Sequence, residues 1–405
     1  METDKKSMGF GETIALMAIL VSLTALAIDI MLPALPKIGE ELGTWHANDA
    51  QLIVSSLIFG LSFGQIFYGP FSDNTGRKPM LIAGIVIFIC GCALSLFSTT
   101  FPVMLTGRVL QGVGLAGPRS MVLALIRDQY IGRPMAKMMS SIMTVFIIIP
   151  VIAPAIGQGI LAVAGWRTIF ATLLIQAIIA LIWFVVRQPE TLPPEHRVPF
   201  SPRRVLKAFA EVCRNRAALG YTAVAGCILG VFIGYLNCAQ QIFQVTYRLN
   251  DRFPLVFGLL ALSIGCASLV NSRIVMRYGM LYLTHYTMII LCISSSAFLL
   301  CFFLMAGHPP LWLLMASLVL VLFCFGILFG NLNAIAMTPL GHIAGTGAAV
   351  VGSLSTFISV PLAIVIGRGY DGTVLPLFAG VATLSLVSLI IMKWAGTKEL
   401  AGCQP

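Results

Sequence analysis

Three charged side chains stand inside long apolar runs of this 405-residue chain: Asp29, Arg108 and Arg119. Each would cost about 2.5 to 3.5 kcal/mol near the centre of a membrane helix, so a charge retained there points to function. Asp29 is the only acid well inside any such run. A buried carboxyl beside a cation is pulled two ways: loss of water favours its neutral form, and the cation favours its charged form. A rearrangement that alters either influence loads or unloads a proton. Asp29 is therefore the expected proton carrier, and Arg108 the residue expected to modulate it. The competing reading is a static ion pair that fixes helix packing. Arg119, in Gly117-Pro118-Arg119-Ser120, is expected either to line an inner cavity or to snorkel to the surface.

Two further groups carry chemistry of a softer kind. The segment Gly69-Pro70-Phe71-Ser72-Asp73-Asn74-Thr75-Gly76-Arg77-Lys78-Pro79 is short and tight between two apolar runs. Gly69 and Gly76 relieve steric limits, and Asp73 can cap a helix or pair with Arg77. It reads as a charged latch, with Lys78 beside it. Pro150, Pro154 and Gly157 lie in one apolar run, where proline and glycine kink and thin a helix so that a neighbour approaches closely. Gln111, Arg119, Tyr235, Asn237 and Gln241 are the polar residues expected to face a substrate cavity; Asn237 and Gln241 are four apart and share a helix face. Each of these could equally be a helix-to-helix hydrogen bond. No metal-ligand set is apparent among the 5 His and 10 Cys.

The elements that position these residues follow from composition. The chain is 58% hydrophobic and 10% charged, well under half the charge of a soluble domain, about 25%. An aqueous globule and a disordered chain are both excluded. A span with its loop takes about 30 residues, which gives a dozen spans. They are expected at 12–34, 49–69, 79–98, 103–125, 138–163, 168–186, 217–243, 254–276, 280–306, 311–333, 345–367 and 374–394. With the N-terminus inside, 18 of the 25 Lys and Arg fall in inside segments, Lys5, Lys6 and Lys398 among them, and 5 fall outside. Positive-inside asymmetry thus places both termini in the cytoplasm. The net charge of +10 reads as loop charge and not as nucleic-acid binding.

The longest polar stretch, 187–216, divides the chain into a six-span half at 1–186 and another at 217–405. Its proline-rich start and its Arg203, Arg204 and Lys207 suggest a linker with a surface helix on anionic lipid. Matching features recur about half a chain apart: Gly76 with Gly279, and Pro150 with Pro361. The expected fold is an all-α membrane protein of twelve helices in two six-helix pseudo-repeats. On this topology Asp29 and Arg108 each lie about 8 Å outside the midplane, at matching depth on two helices of one half.

The 69–79 segment resembles the loop signature of the major facilitator superfamily. Arg108-Val109-Leu110-Gln111-Gly112 resembles the fourth-span motif whose arginine is linked to proton coupling in exporters. Pro150-Val-Ile-Ala-Pro154-Ala-Ile-Gly157-Gln-Gly159 is similar to the fifth-span motif of drug:proton antiporters, departing from it at Ala153 and Gln158. Ile28-Asp29-Ile-Met-Leu-Pro33, Ile126-Arg127-Asp128 and Trp166-Arg167-Thr-Ile-Phe170 resemble the bicyclomycin and chloramphenicol resistance branch. The resemblance covers the first six spans closely and the second half more loosely. It implies a cytoplasmic gating role for Gly69, Asp73, Gly76, Arg77 and Lys78, and a hinge at Pro150, Pro154 and Gly157. It implies a proton-driven exporter of small amphipathic molecules in a bacterial inner membrane, active as a monomer, with a proton gradient and no cofactor. Export of a self-made metabolite or siderophore, or nutrient uptake, is the alternative on the same fold. No HExxH or phosphate-binding loop is present, which argues against a zinc hydrolase or an ATP-driven pump.

Overall fold

The computed structural model describes residues 8–44 and 46–396; Lys5, Lys6 and Lys398 lie outside them. Among the described residues the chain is helical throughout and has no strand. In chain order the helices are α1 (Phe10–Asp29), α2 (Leu35–Glu41), α3 (Leu52–Thr75), α4 (Arg77–Leu96), α5 (Phe101–Gln129), α6 (Arg133–Val163) and α7 (Arg167–Arg187). They continue as α8 (Pro202–Arg214), α9 (Arg216–Gln240), α10 (Phe253–Tyr278), α11 (Met280–Leu304), α12 (Leu311–Met337), α13 (Ala344–Arg368) and α14 (Leu375–Ala395). Eleven apolar stretches are long enough to cross a membrane, and the 58-residue stretch Leu311–Arg368 contains both α12 and α13. All but α2 and α8 are spanning helices, so twelve cross.

Their outer faces carry large exposed apolar side chains, such as Ile179, Leu255, Phe303 and Ile390. That is the expected surface in hydrocarbon, where only internally hydrogen-bonded helices satisfy the main chain. Small residues set the tightest contacts. On one side of the molecule α3 and α4 pack on α5, and α1 packs on α6 and α7. On the other α9 packs on α12, α13 and α14. The two groups meet along α3 against α13 and α6 against α10.

Three boundaries differ from the sequence expectation. α3 does not stop at 69 but runs through Pro70 to Thr75, so most of the expected 69–79 loop is helix. Gly76 alone separates α3 from α4, at φ 110°, a backbone shape glycine adopts without strain. The first span is broken: α1 ends at Asp29, a short 3-10 turn covers Leu32–Ala34, and α2 follows. Pro33 and Pro36 lack the N–H that a continuous helix would need here. Span 7 is α9 plus a π-helical turn over Gln241–Thr246.

The linker is not a free strand. Phe200 stacks on Phe71 at 4.3 Å between ring centroids, and the Val198 N–H donates to the Asp73 carbonyl at 2.8 Å. α8 packs against α13 and α9 through buried Ala208 and Val212. It leaves Leu206 and Phe209 exposed next to its basic side chains.

Candidate functional site

Arg108 is fully buried. Its Nε donates to the Ile53 carbonyl at 3.0 Å, its Nη2 to the Ala27 carbonyl at 3.0 Å, and its Nη1 to Gln111 Oε1 at 2.5 Å. The guanidinium fork therefore ties α5 to α3 and to α1, two residues before Asp29. A lysine could not span three such acceptors, because only the planar fork presents donors in several fixed directions. Gln111 completes the cluster by donating to the Gly91 carbonyl at 3.1 Å and to Ser95 at 3.0 Å. Gln111 thus sits in helix packing in this conformation, where the sequence reading places it among residues facing a cavity.

Asp29 is 5% exposed, and among the described residues it has no hydrogen-bond or ion-pair partner. The static ion pair with Arg108 is absent: the cation is spent on main-chain carbonyls. Asp29 instead lies close enough to Tyr235, on α9, to interact with it electrostatically. The Tyr235 ring is buried and stacks near Phe257, and its hydroxyl has no partner. Each group of helices thus buries one polar side chain without a hydrogen-bond partner, Asp29 on α1 and Tyr235 on α9. The residue after Asp29 carries the close approach of α6: a Cβ placed on Gly157 would strike the Ile30 carbonyl oxygen. α6 itself runs unbroken through Pro150 and Pro154.

The expectation that Asn237 and Gln241 share a face holds in the geometry, and that face meets α3 and the 3-10 turn Ala47–Gln51 before it. Asn237 donates to Ser55 at 3.1 Å, and Gln241 bonds to Gln51 and donates to Asn48 at 2.8 Å. Arg368 pairs with Asp49 at 2.8 Å, and Asn48 donates to the Tyr370 carbonyl at 2.8 Å. Gln158 reaches the Asn250 carbonyl at 3.4 Å. These contacts form a clasp at the end of the bundle opposite Gly76, so Asn237 and Gln241 serve it in this conformation and do not line an open space. Sequence reasoning missed Asn48, Asp49, Ser55 and Arg368. The two charged ones sit at span ends, where charge is cheap and carries no signal; Asn48 and Ser55 are common helix-packing types.

At the Gly76 end, Arg77 donates to Asp73 at 2.6 Å and to Ser72 at 2.7 Å, and reaches Asp128 of α5 at 3.4 Å. Asp73 thus takes the pairing role and not the capping one. The cap on α4 comes from the linker: Glu190 accepts the N–H of Arg77 at 2.9 Å and of Lys78 at 3.0 Å. Thr191 donates to Asp128 at 3.0 Å, and the Lys78 ammonium donates to the Val185 carbonyl at 2.8 Å. Gly69 belongs to α3 and faces Ala349 of α13. The sequence signal for the missed cap was Pro189-Glu190-Thr191, a turn that places a carboxylate within reach of two free amides.

Burial would raise the Glu190 carboxyl, but the N–H groups of Leu192, Arg77, Lys78 and Thr191 outweigh it and hold it below the usual carboxylate range. A lowered folded value adds stability that is present in full above the ordinary carboxylate range, about pH 4.3, and is lost as pH falls through the lowered value. The Arg77 and Lys78 amides are therefore expected to keep constant hydrogen-exchange protection above about pH 5 and to lose it in stronger acid. Glu190→Gln is expected to lower that protection already at neutral pH. Equal protection in both proteins at neutral pH would remove Glu190 from this role.

Twelve spanning helices, a central buried charge and a clasped pair of helix groups define a membrane transporter. The chain matches the profile of the Major Facilitator Superfamily over residues 17–364. It belongs to that family, which is one of transporters and not of enzymes. It is 28% identical over 393 residues to an uncharacterized MFS-type transporter, YdgK, of Bacillus subtilis, covering 96% of each chain. It is 24% identical over 390 residues to the bicyclomycin resistance protein homolog of Haemophilus influenzae, covering 95% of this chain and 96% of that one. It is also 25% identical over 389 residues to the multidrug resistance protein MdtL of Salmonella heidelberg, at 94% and 95% coverage. These names agree with the branch its motifs resemble. Among solved structures it is similar to the xylose transporter XylE of E. coli in a partially occluded inward open conformation, with TM-score 0.71, 14% identity and coverage of 95% and 99%. It is similar also to human MFSD10, with TM-score 0.70, 18% identity and coverage of 95% and 100%. Both likenesses concern the fold.

Proposed function

We propose that this chain is a proton-coupled antiporter that exports small amphipathic molecules, including drugs, from a bacterial cytoplasm by alternating access. The observation that carries the reading is Asp29, a carboxyl buried in the first span without a hydrogen-bond or ion-pair partner among the described residues. Such a carboxyl is not locked by a cation, so access to water governs when it takes or gives a proton. Its position at the break in the first span, next to the Gly157 contact, lets helix movement change that access. The relatives named for bicyclomycin and multidrug resistance support drug efflux as the cargo class.

The Gly76 end is the cytoplasmic one by the distribution of Lys and Arg, and both termini lie on that side. The clasp of Asn48, Asp49, Gln51, Ser55, Asn237, Gln241 and Arg368 then closes the outer face. Gly69, Asp73, Gly76, Arg77 and Lys78 form the cytoplasmic gate with the Glu190 cap, and Pro150, Pro154 and Gly157 the flexing contact. A proton gradient supplies the energy, no cofactor takes part, and the monomer is the working unit.

The test is reconstitution in proteoliposomes. An imposed pH gradient is expected to drive a drug such as chloramphenicol against its own gradient, and a protonophore to stop it. Accumulation that persists without a pH gradient would overturn the coupling.

A further inference from the structure

Of the three charges inside the spans, Asp29 and Arg108 are buried and Arg119 is exposed. Among the described residues no carboxylate or carbonyl pairs with Arg119. Its direction follows from helix geometry. Eleven residues separate it from Arg108, which is about 1,100°, or three turns plus about 20°. Arg119 therefore leaves α5 on the side of Arg108, about 16 Å nearer the Gly76 end. That side faces the bundle interior, since Arg108 reaches the Ala27 carbonyl of α1. The other sides of α5 are taken: Val109, Val113 and Ala116 meet α3, and Gly107, Gln111 and Gly114 meet α4.

Snorkelling along the outer face does not explain the side chain, since it leaves α5 on the side that faces the bundle interior and not the lipid. Leu123, one turn further on, is also exposed. The wall near Arg119 thus offers one unpaired cation beside apolar surface.

We infer that Arg119 is a specificity-determining residue for cargo, and that it selects amphipathic molecules carrying an oxyanion or other negative charge. This rests on the transporter reading above and deepens it. A guanidinium that faces the low-dielectric interior of the bundle attracts an anion more strongly than it would in water, and it repels a cation of the same shape. With Arg108 fully committed to the Ile53 and Ala27 carbonyls and to Gln111, Arg119 sets the sign.

The experiment compares tetraphenylborate with tetraphenylphosphonium, two ions of nearly equal shape and opposite charge. Binding is measured by calorimetry to protein in nanodiscs of phosphatidylcholine, with empty nanodiscs subtracted and no pH gradient. The wild type is expected to bind the borate at least about tenfold more tightly than the phosphonium ion, as one well-placed charge contact gives. Arg119→Gln is expected to bring the ratio to about one, and Arg119→Lys to keep most of it. Equal or reversed affinities in the wild type, binding of neither ion, or an unchanged ratio in Arg119→Gln would each overturn the inference. Because binding is read at equilibrium, a failure of proton-driven transport leaves this result untouched, and the two ideas fall separately.

Discussion

Asp29→Asn is expected to abolish accumulation of substrate against its gradient while leaving substrate binding and downhill flux in place. The asparagine keeps the shape of the carboxyl and cannot carry a proton. The loss should be complete within detection, because Asp29 is the only acid well inside the spans and no neighbour can take over. The variant should also melt at or slightly above the wild-type temperature. A buried carboxyl with no fixed partner stabilises nothing, so removing its charge takes away a desolvation cost and no interaction. This combination separates a proton carrier from a structural residue. Had Asp29 been held by Arg108, the same change would have left a buried cation without its counter-charge, at about 3 to 5 kcal/mol. Tyr235→Phe is the companion experiment, expected to alter the pH profile of transport with little loss of stability. An Asp29→Asn protein that builds the wild-type gradient would end the proposal.

The second large effect is expected from a single methyl group. Gly157→Ala should sharply lower both transport and thermal stability, whereas Gly159→Ala, two residues along, should behave as wild type. The Cβ at 157 has no room against the Ile30 carbonyl, while the one at 159 meets nothing within 4 Å. Relieving the clash requires α6 to move away from the break in the first span, and forced overpacking of this kind costs about 1 to 3 kcal/mol. If that strain falls unequally on the two ends of the transport cycle, it biases their populations by about 5- to 150-fold. The readouts are melting temperature and pH-driven uptake in proteoliposomes. Equal behaviour of the two alanine variants would show that the α1–α6 contact has no part in the cycle.

Much of this was legible from residue types. The apolar runs gave the twelve spans because the hydrocarbon tolerates little else, and Asp29, Arg108 and Arg119 stood out because charge there is costly. What those charges touch was not legible. Arg108 is held by the carbonyls of Ala27 and Ile53, and every residue type has a carbonyl. The sequence suggested a charge pair, and the fold supplied main chain instead. Pro70 read as a loop start, yet it sits inside α3, since a proline in a long packed helix can be carried by its neighbours. The break after Asp29 was hidden the other way: the first span was read as continuous over 12–34, through Pro33. The linker looked solvated because its charge and proline content say so, but Glu190, Val198 and Phe200 bind it to the Gly76 end through contacts that arise only once the chain has folded back.

Those contacts bear on how far the two groups of helices can part. From residue 187 to 216 the strand between them is long enough to act as slack rope. With Phe200 seated on Phe71 and α8 seated on α13 and α9, the free length shrinks to a few residues around Ser201. That short leash lies on the same edge as the seam of α3 with α13, so the chain tethers the two groups of helices along that edge and leaves the seam of α6 with α10 without such a tie.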